Sequence, residues 1–301
     1  MKYSPLRYAG GKTRAIKLIL ENIPHIESKR IISPFFGGGS FELYMSRNGY
    51  EIIGFDIFNL LVNFWNVIIN DNERFVRELK KLIPDDINYT RNRHILLNYW
   101  NKIKPDDLIY KTKNIIDLND NEKCLLDDDK ILQAVYYYYN HQLSYGPAFL
   151  GWGSSVYLND KKYNNILNKI NGINLGNVNV YCDTFENVIK KYNDDFLYLD
   201  PPYYLDGDSK MFKGIYPNCN FAIHHKGFNH DLLCELLKKH KGGFILTYNN
   251  CEYIREKYKD FKQVFPEWNY SFGNGETRIG KNRDSNNIKK SHEIFIISYK
   301  N

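Results

Sequence analysis

The 301-residue chain reads as an α/β protein whose sheet is interrupted by an inserted, mainly helical block. Three observations predict this. Apolar runs of strand length end in glycine or acidic residues and alternate with helical periodicity over 30–58 and again from 178 onward. Between them, over 59–140, the apolar spacing is helical, which does not continue a βαβ alternation. Residues 196–203, Phe-Leu-Tyr-Leu-Asp-Pro-Pro-Tyr, read as a buried strand that stops at an acid, because two consecutive prolines neither extend a sheet ladder nor enter a helix. That turn leaves a carboxylate, a rigid carbonyl and an aromatic face at a strand's carboxyl end, where open α/β sheets bind ligands.

Bulk composition narrows the class. Hydrophobic residues make up 43% and charged residues 25%, ordinary for a globular protein that buries its own core. The net charge of +6 permits a nucleic-acid partner without requiring one. The 25 tyrosines serve equally well as base-stacking faces or as core. Cys124, Cys182, Cys219, Cys234 and Cys251 form no CxxC pair and the histidines form no HExxH, so free thiols and no metal site are expected. No apolar run follows the N-terminal charge and none approaches a membrane span, so an intracellular, cytoplasmic protein is expected.

Along the chain, Gly10-Gly11-Lys12-Thr13 invites a phosphate-loop reading, but Leu6 stands where that motif needs its first glycine and no strand precedes it. A glycine turn leading into a helix over 12–22 remains. Residues 30–36 form a predicted strand, followed by Gly37-Gly38-Gly39-Ser40 and a helix over 41–47. Glycines allow close approach of a ligand, and the helix start favours its negative group. The next strand, 51–55, ends at Asp56, placed to accept hydrogen bonds from a ribose diol. Strand, glycine loop, helix, strand and acid point to an adenosine-containing cofactor, leaving NAD and S-adenosylmethionine both open.

Helices are expected over 59–69, 73–83, 91–103 and 129–140, with polar breaks at 84–86 and 117–121. Residues 136–158 carry a Tyr136–Tyr139 run, then Asn140, His141, Gln142, Ser144 and Tyr145, then glycine turns around Trp152. Amides and aromatics beside such turns fit either a protruding hairpin that reads base edges or a satisfied surface loop. The sheet resumes with strands over 178–183, 196–200 and 243–248, with helices over 185–192, 229–241 and 250–258. Asp183 ends the first of these strands, where it can meet an adenine amino group. The long loop 204–228 is a candidate lid. Final strands are expected over 263–270 and 292–299, joined by a basic loop in which Arg278 and Arg283 suit phosphate contact.

The acid–Pro–Pro–aromatic sequence narrows the chemistry. The lone pair of an adenine exocyclic amine is delocalised, so the nitrogen is a poor nucleophile. Two fixed acceptors for its N–H groups favour a geometry with the lone pair free to attack. Asp200 and the Pro201 carbonyl are such acceptors, Pro202 stiffens the turn, and Tyr203 offers a stacking face. A duplex base reaches such a pocket only when flipped out. Cytosine C5 chemistry would need a thiolate, and no Pro-Cys pair occurs.

Six ordered segments carry a resemblance: Arg7-Tyr8-Ala9-Gly10-Gly11-Lys12, Pro34-Phe35-Phe36-Gly37-Gly38-Gly39-Ser40, Gly54-Phe55-Asp56, Val180-Tyr181-Cys182-Asp183, Tyr198-Leu199-Asp200-Pro201-Pro202-Tyr203 and His292-Glu293-Ile294. With these the chain resembles a Dam-type, D12 class N6-adenine DNA methyltransferase of the α group. The resemblance implies a Rossmann-like catalytic domain formed by 1–58 and 176–301, with a target-recognition subdomain over 59–175 and a DNA-reading hairpin near 140–158. It implies S-adenosyl-L-methionine held by Tyr8, Ala9, Gly10 and Lys12, by the loop Phe36, Gly37, Gly38, Gly39 and Ser40, and by Asp56, Asp183 and Thr184, with Asp200 serving both cofactor and target. It also implies a double-stranded DNA substrate and a restriction–modification, phage or viral setting, with a cognate endonuclease as a candidate partner. Residues 140–158 depart from the Arg-containing hairpin of the best-known members, so GATC, CATG and other short palindromes stay open. RNA adenine or cytosine N4 methylation and a cofactor-dead binding module are the alternatives. Intact Lys12, Asp56 and Asp200 speak against the last.

Overall fold

The computed structural model describes residues 4–8, 10–103, 116–145, 149–204, 227–266 and 293–299. Among them the frame is a seven-stranded sheet in the order β3-β2-β1-β4-β5-β7-β6. Its strands are β1 (Arg30–Ser33), β2 (Glu51–Asp56), β3 (Asn177–Cys182), β4 (Phe196–Leu199), β5 (Phe244–Asn249), β6 (Lys262–Val264) and β7 (Glu293–Ser298). The first five run parallel, and β7 lies antiparallel between β5 and β6. The central strands β1, β4 and β5 read as nearly continuous apolar runs because both sheet faces are covered there, whereas the edge strand β3 alternates buried Val178 and Val180 with exposed residues.

Alternation along each strand sorts the core into two layers. Ile31, Ile52, Tyr198, Ile245, Phe295 and Ile297 face one layer. Ile32, Leu197, Leu199, Leu246, Ile294 and Ile296 face the other. The first layer is covered by α1 (Ile16–Leu20), α2 (Ser40–Arg47) and α3 (Asn59–Asn70), and the second by α9 (Phe185–Lys191), α10 (His230–Lys239) and α11 (Glu252–Lys257). Burying each large apolar side chain contributes ~1.5–3 kcal/mol.

Between β2 and β3 the chain is helical: α3, α4 (Asn72–Leu79), α5 (Asp86–Ile103), α6 (Asp120–Cys124), α7 (Lys130–Leu143) and α8 (Asp160–Ile170). Its start, α3, packs against β2 and β3 and inserts Trp65 beneath the glycine loop, so this helix also covers the sheet. Helix α7 is apolar nearly all round and is accordingly buried. Tyr138 stacks on Phe64 at 5.2 Å, and the Tyr139 hydroxyl donates to the Ile83 carbonyl at 2.6 Å. The tyrosine run is therefore core.

The structure departs from expectation at several element ends. The predicted 30–36 strand stops at Ser33, since Pro34 has no N–H for a ladder. The 12–22 helix is a 3-10 turn, Lys12–Arg14, followed by the short α1. Helix α6 begins within the expected 117–121 break, because Asn119 and Glu122 form a reciprocal capping box that starts it. Helix α8 was not anticipated either. Asn159 caps it, and Tyr163, Ile166, Leu167 and Ile170 supply its buried stripe.

Candidate active site

The strand order reverses between β1 and β4, which pair side by side with Ile31 opposite Phe196 and Ile32 opposite Leu197. The carboxyl ends of these two strands form the crevice in which such sheets bind ligands. The glycine loop leaves β1 there, and Asp200 leaves β4 beside it.

The loop is shaped by its glycines. Gly37 and Gly39 have φ of +47° and +61°, a region that side chains disfavour. A Cβ on Gly38 would lie 2.5 Å from the Tyr8 Cβ, so the Tyr8 side chain rests directly on the loop. Phe36 is buried beneath it, edge-on to Trp65 at 5.1 Å, and the Trp65 indole donates to the Gly37 carbonyl at 3.0 Å. Phe36 thus supports the loop from below instead of presenting its ring to a ligand. Asp56, at the end of β2, accepts from the Gly37 amide at 3.0 Å and the Phe58 amide at 2.9 Å. Burial raises its pKa and these amides oppose the rise. The Ile57 amide also reaches the carboxylate, whose remaining acceptor capacity is left for a further donor. Asp183, next along at the end of β3, accepts from the Thr184 amide at 2.8 Å and from Asn187 at 2.9 Å, which lowers its pKa.

At the β4 end, Lys12 donates to Asp200 Oδ2 at 2.8 Å and to the Gly10 carbonyl at 2.9 Å. Thr247, on β5, donates to Asp200 Oδ1 at 2.7 Å. The Lys12 ammonium also lies 5.2 Å from the centre of the Tyr203 ring and 3.9 Å from Glu293 Oε2. Below them the Ser33 hydroxyl donates to Glu42 Oε1 at 2.7 Å. Burial, reinforced by the charge of Asp200, pushes Glu42 up to about 8, and burial pushes Glu293 up to about 7. A single lysine charge is shared among three acids, so desolvation keeps protons on those farthest from it. The result is a partly exposed carboxyl acceptor on a rigid base, suited to holding an amine N–H.

Tyr8, Gly10, Lys12, Gly37, Gly38, Gly39, Ser40, Asp56, Asp200, Pro201, Pro202 and Tyr203 thus gather around one crevice, while Asp183 and Thr184 border it one strand further out. Ala9, Arg278, Arg283 and residues 205–226 of the candidate lid lie outside the described residues. Thr247, Glu42 and Trp65 were missed: each reads as an ordinary strand or helix residue, and only the fold brings it to the site. Glu293 was quoted in a motif but given no role.

The expected base-reading hairpin needs correction. Asn140, His141 and Gln142 lie on buried α7, and Ser144 is buried just after it. Asn140 donates to the Tyr89 hydroxyl at 2.9 Å and accepts from the Leu150 amide at 2.7 Å. Gln142 donates to the Pro5 carbonyl at 2.9 Å, and the Ser144 hydroxyl to the His141 carbonyl at 3.0 Å. His141 stacks on Tyr8 at 6.0 Å, and burial beside Arg7 lowers its pKa to about 3. These side chains brace the N-terminal segment and the 149–151 turn; they do not project toward a partner. An antiparallel bridge between Ser144 and Gly153 follows, and among the described residues next to it Tyr145 and Trp152 are exposed. Buried Arg93 holds this stretch, donating to the Leu150 carbonyl at 2.8 Å with its guanidinium 4.5 Å from the Trp152 ring centre.

A parallel sheet with an antiparallel β7, a glycine loop after β1 and an Asp-Pro-Pro-Tyr turn after β4 define a Rossmann-like methyltransferase that acts on an amine. The chain belongs to the family of D12 class N6 adenine-specific DNA methyltransferases, whose pattern matches residues 8–272. It is similar to the type II methyltransferase M.MjaIII of Methanocaldococcus jannaschii, 28% identical over 207 residues that cover 66% of this chain and 68% of the relative. The type II methyltransferase M2.HphI of Haemophilus parahaemolyticus is 23% identical over 71% of this chain and 70% of its own. A DNA adenine methylase of Serratia marcescens is 29% identical over 32% of this chain and 34% of its own. The protein is accordingly an adenine-specific DNA methyltransferase that requires a methyl donor and a DNA substrate. Among the described residues no cluster of His, Cys, Asp and Glu is gathered to hold a metal, and no helix is long and apolar enough to cross a membrane.

Proposed function

We propose that the enzyme transfers a methyl group from S-adenosyl-L-methionine to N6 of a flipped-out adenine within a short, palindromic DNA sequence. The observation that carries this reading is the position of Asp200. It stands at the end of β4 beside the glycine loop, oriented by Lys12 and Thr247.

The residues present fit the cofactor. Asp56 keeps acceptor capacity for ribose hydroxyls, and Asp183 keeps it for an adenine amine. Gly37 and Gly38 let the Tyr8 side chain lie directly on the loop backbone, where it forms a wall of the proposed cofactor site. When bound, S-adenosylmethionine supplies an electrophilic methyl on a sulfonium. Asp200 and the Pro201 carbonyl then accept the two N6 hydrogens, which directs the nitrogen lone pair toward the methyl, while Tyr203 stacks on the base.

The block over 59–175 is the target-recognition subdomain in this reading, with α3 shared with the sheet. Tyr145 and Trp152 beside the bridge between Ser144 and Gly153 become its candidate base contacts, and Arg278 and Arg283 remain candidate phosphate contacts. The type II names of two relatives support a restriction–modification setting with a cognate endonuclease in the same cell. Incubation with labelled S-adenosylmethionine and mixed-sequence DNA, then nucleoside analysis and methylation-aware sequencing, tests the reading. N6-methyladenine in one short motif is expected. Label confined to cytosine or to RNA would overturn it.

A further inference from the structure

The antiparallel direction of β7 brings its first residue, Glu293, to the same end of the sheet as Asp200, opposite Asn249, the last residue of β5. The Glu293 side chain is fully buried; among the described residues its carboxyl group interacts with the Tyr203 hydroxyl and lies 3.9 Å from the Lys12 ammonium. The groups that face it are Lys12, Asp200, Tyr198 and the Tyr203 hydroxyl. One phenol hydroxyl does not fill the acceptor capacity of a buried carboxylate, which leaves room for a cationic partner during function. Lys12 is that partner. Its ammonium is bonded to Asp200 and lies 3.9 Å from Glu293 Oε2, so a movement on the order of 1 Å exchanges one carboxylate for the other within ordinary hydrogen-bond range.

We propose that Glu293 is a positioning residue that takes over the Lys12 ammonium when the target amine engages Asp200. Lys12 and the amine compete for one carboxylate. A cation held on Asp200 draws off the negative charge that should act on N6–H, and transferring that cation to a second buried acid restores it. In the resting state the Lys12 bond keeps Asp200 oriented; in the loaded state Glu293 keeps Lys12 from remaining bare. The proposal rests on the methyltransferase reading of Asp200, and wild-type methyl transfer is the control that tests that reading separately.

The test is a double-mutant cycle on the full chain, followed by single-turnover methylation of adenine-containing duplex DNA. Glu293→Gln is expected to slow the step about tenfold. The same substitution made in Lys12→Met is expected to change nothing, because residues acting through one another are non-additive. A purely structural glutamate would give the same loss in both backgrounds, and that result, or an unchanged rate for Glu293→Gln, overturns the proposal. A second readout holds if Lys12→Met is too slow to follow. The wild-type rate should rise with pH through about 7 as Glu293 ionises, and this limb should vanish in Glu293→Gln; identical pH profiles would refute the idea. If Glu293→Gln fails to fold in a thermal melt, Glu293→Asp, which keeps the charge at a longer reach, takes its place with a smaller loss and a retained limb. Loss of that limb with the charge intact would refute it too.

Discussion

Lys12 and Asp200, 188 residues apart, meet at 2.8 Å at the mouth of the crevice between β1 and β4. Lys12 is buried while Asp200 stays partly open, so the pair joins an enclosed cation to an accessible acceptor. With Thr247 on the other oxygen, the carboxylate is fixed before any base arrives.

Removing that acceptor should be severe. Asp200→Ala is expected to lower the methylation rate constant at least ~100-fold, as for loss of one well-placed transition-state partner. Thr247→Val, which leaves the carboxylate but frees its orientation, should cost about tenfold in kcat with little change in KM for DNA, within the range for hydrogen bonds to charged groups. Near-normal turnover of Asp200→Ala in a labelled-methyl assay would remove its assigned role.

Cofactor affinity should depend on Asp56. Asp56→Ala removes the acceptor for the Gly37 and Phe58 amides as well as the proposed ribose contact. Calorimetry should show S-adenosylmethionine binding lost or strongly weakened, and melting should show ~1–3 kcal/mol of lost stability from the stranded donors. Binding at wild-type strength would argue against a ribose role.

The α7 residues and the exposed rings of Tyr145 and Trp152 should respond oppositely. Asn140→Ala strands the Leu150 amide and the Tyr89 hydroxyl in the core and should destabilise the fold by ~1–3 kcal/mol. Trp152→Ala and Tyr145→Ala should leave the melting temperature nearly unchanged and weaken DNA binding by ~1–3 kcal/mol for each ring that stacks on a base. Paired melting and DNA-titration curves separate the two groups. Unaltered DNA affinity for both variants would exclude these two rings as contacts.

Stability should fall on the alkaline side because of Glu42. Its folded pKa is raised from 4.5 to about 8, so the folded state binds its proton more tightly than the unfolded chain does. Its contribution is complete below about 4.5 and is lost as pH rises through about 8. Glu42→Gln keeps an acceptor for Ser33 and should flatten this loss between pH 5 and 8 in thermal melts. An equally steep decline in the variant would place its cause elsewhere.

By itself the sequence determined the parts that depend on local chemistry. Two prolines after Asp200 end a strand in any context, glycines at 37–39 permit a loop that other residues would strain, and apolar runs separated by polar breaks mark the strands of a covered sheet. Those signals placed the glycine loop and Asp200 at strand ends, whereas roles for Tyr8 and Lys12 came only with the family resemblance. Tertiary structure alone decided which polar groups face a ligand and which face the core. Asn140 and Gln142 look like reading residues beside a glycine turn, yet partners distant in sequence, Tyr89, Leu150 and Pro5, satisfy them inside α7. Thr247 and Glu293 look like ordinary strand residues until the sheet order sets β5 and an antiparallel β7 beside β4. Burial and partnership are properties of contacts between remote segments, and a one-dimensional pattern records only the composition of each segment, not the neighbour it will meet.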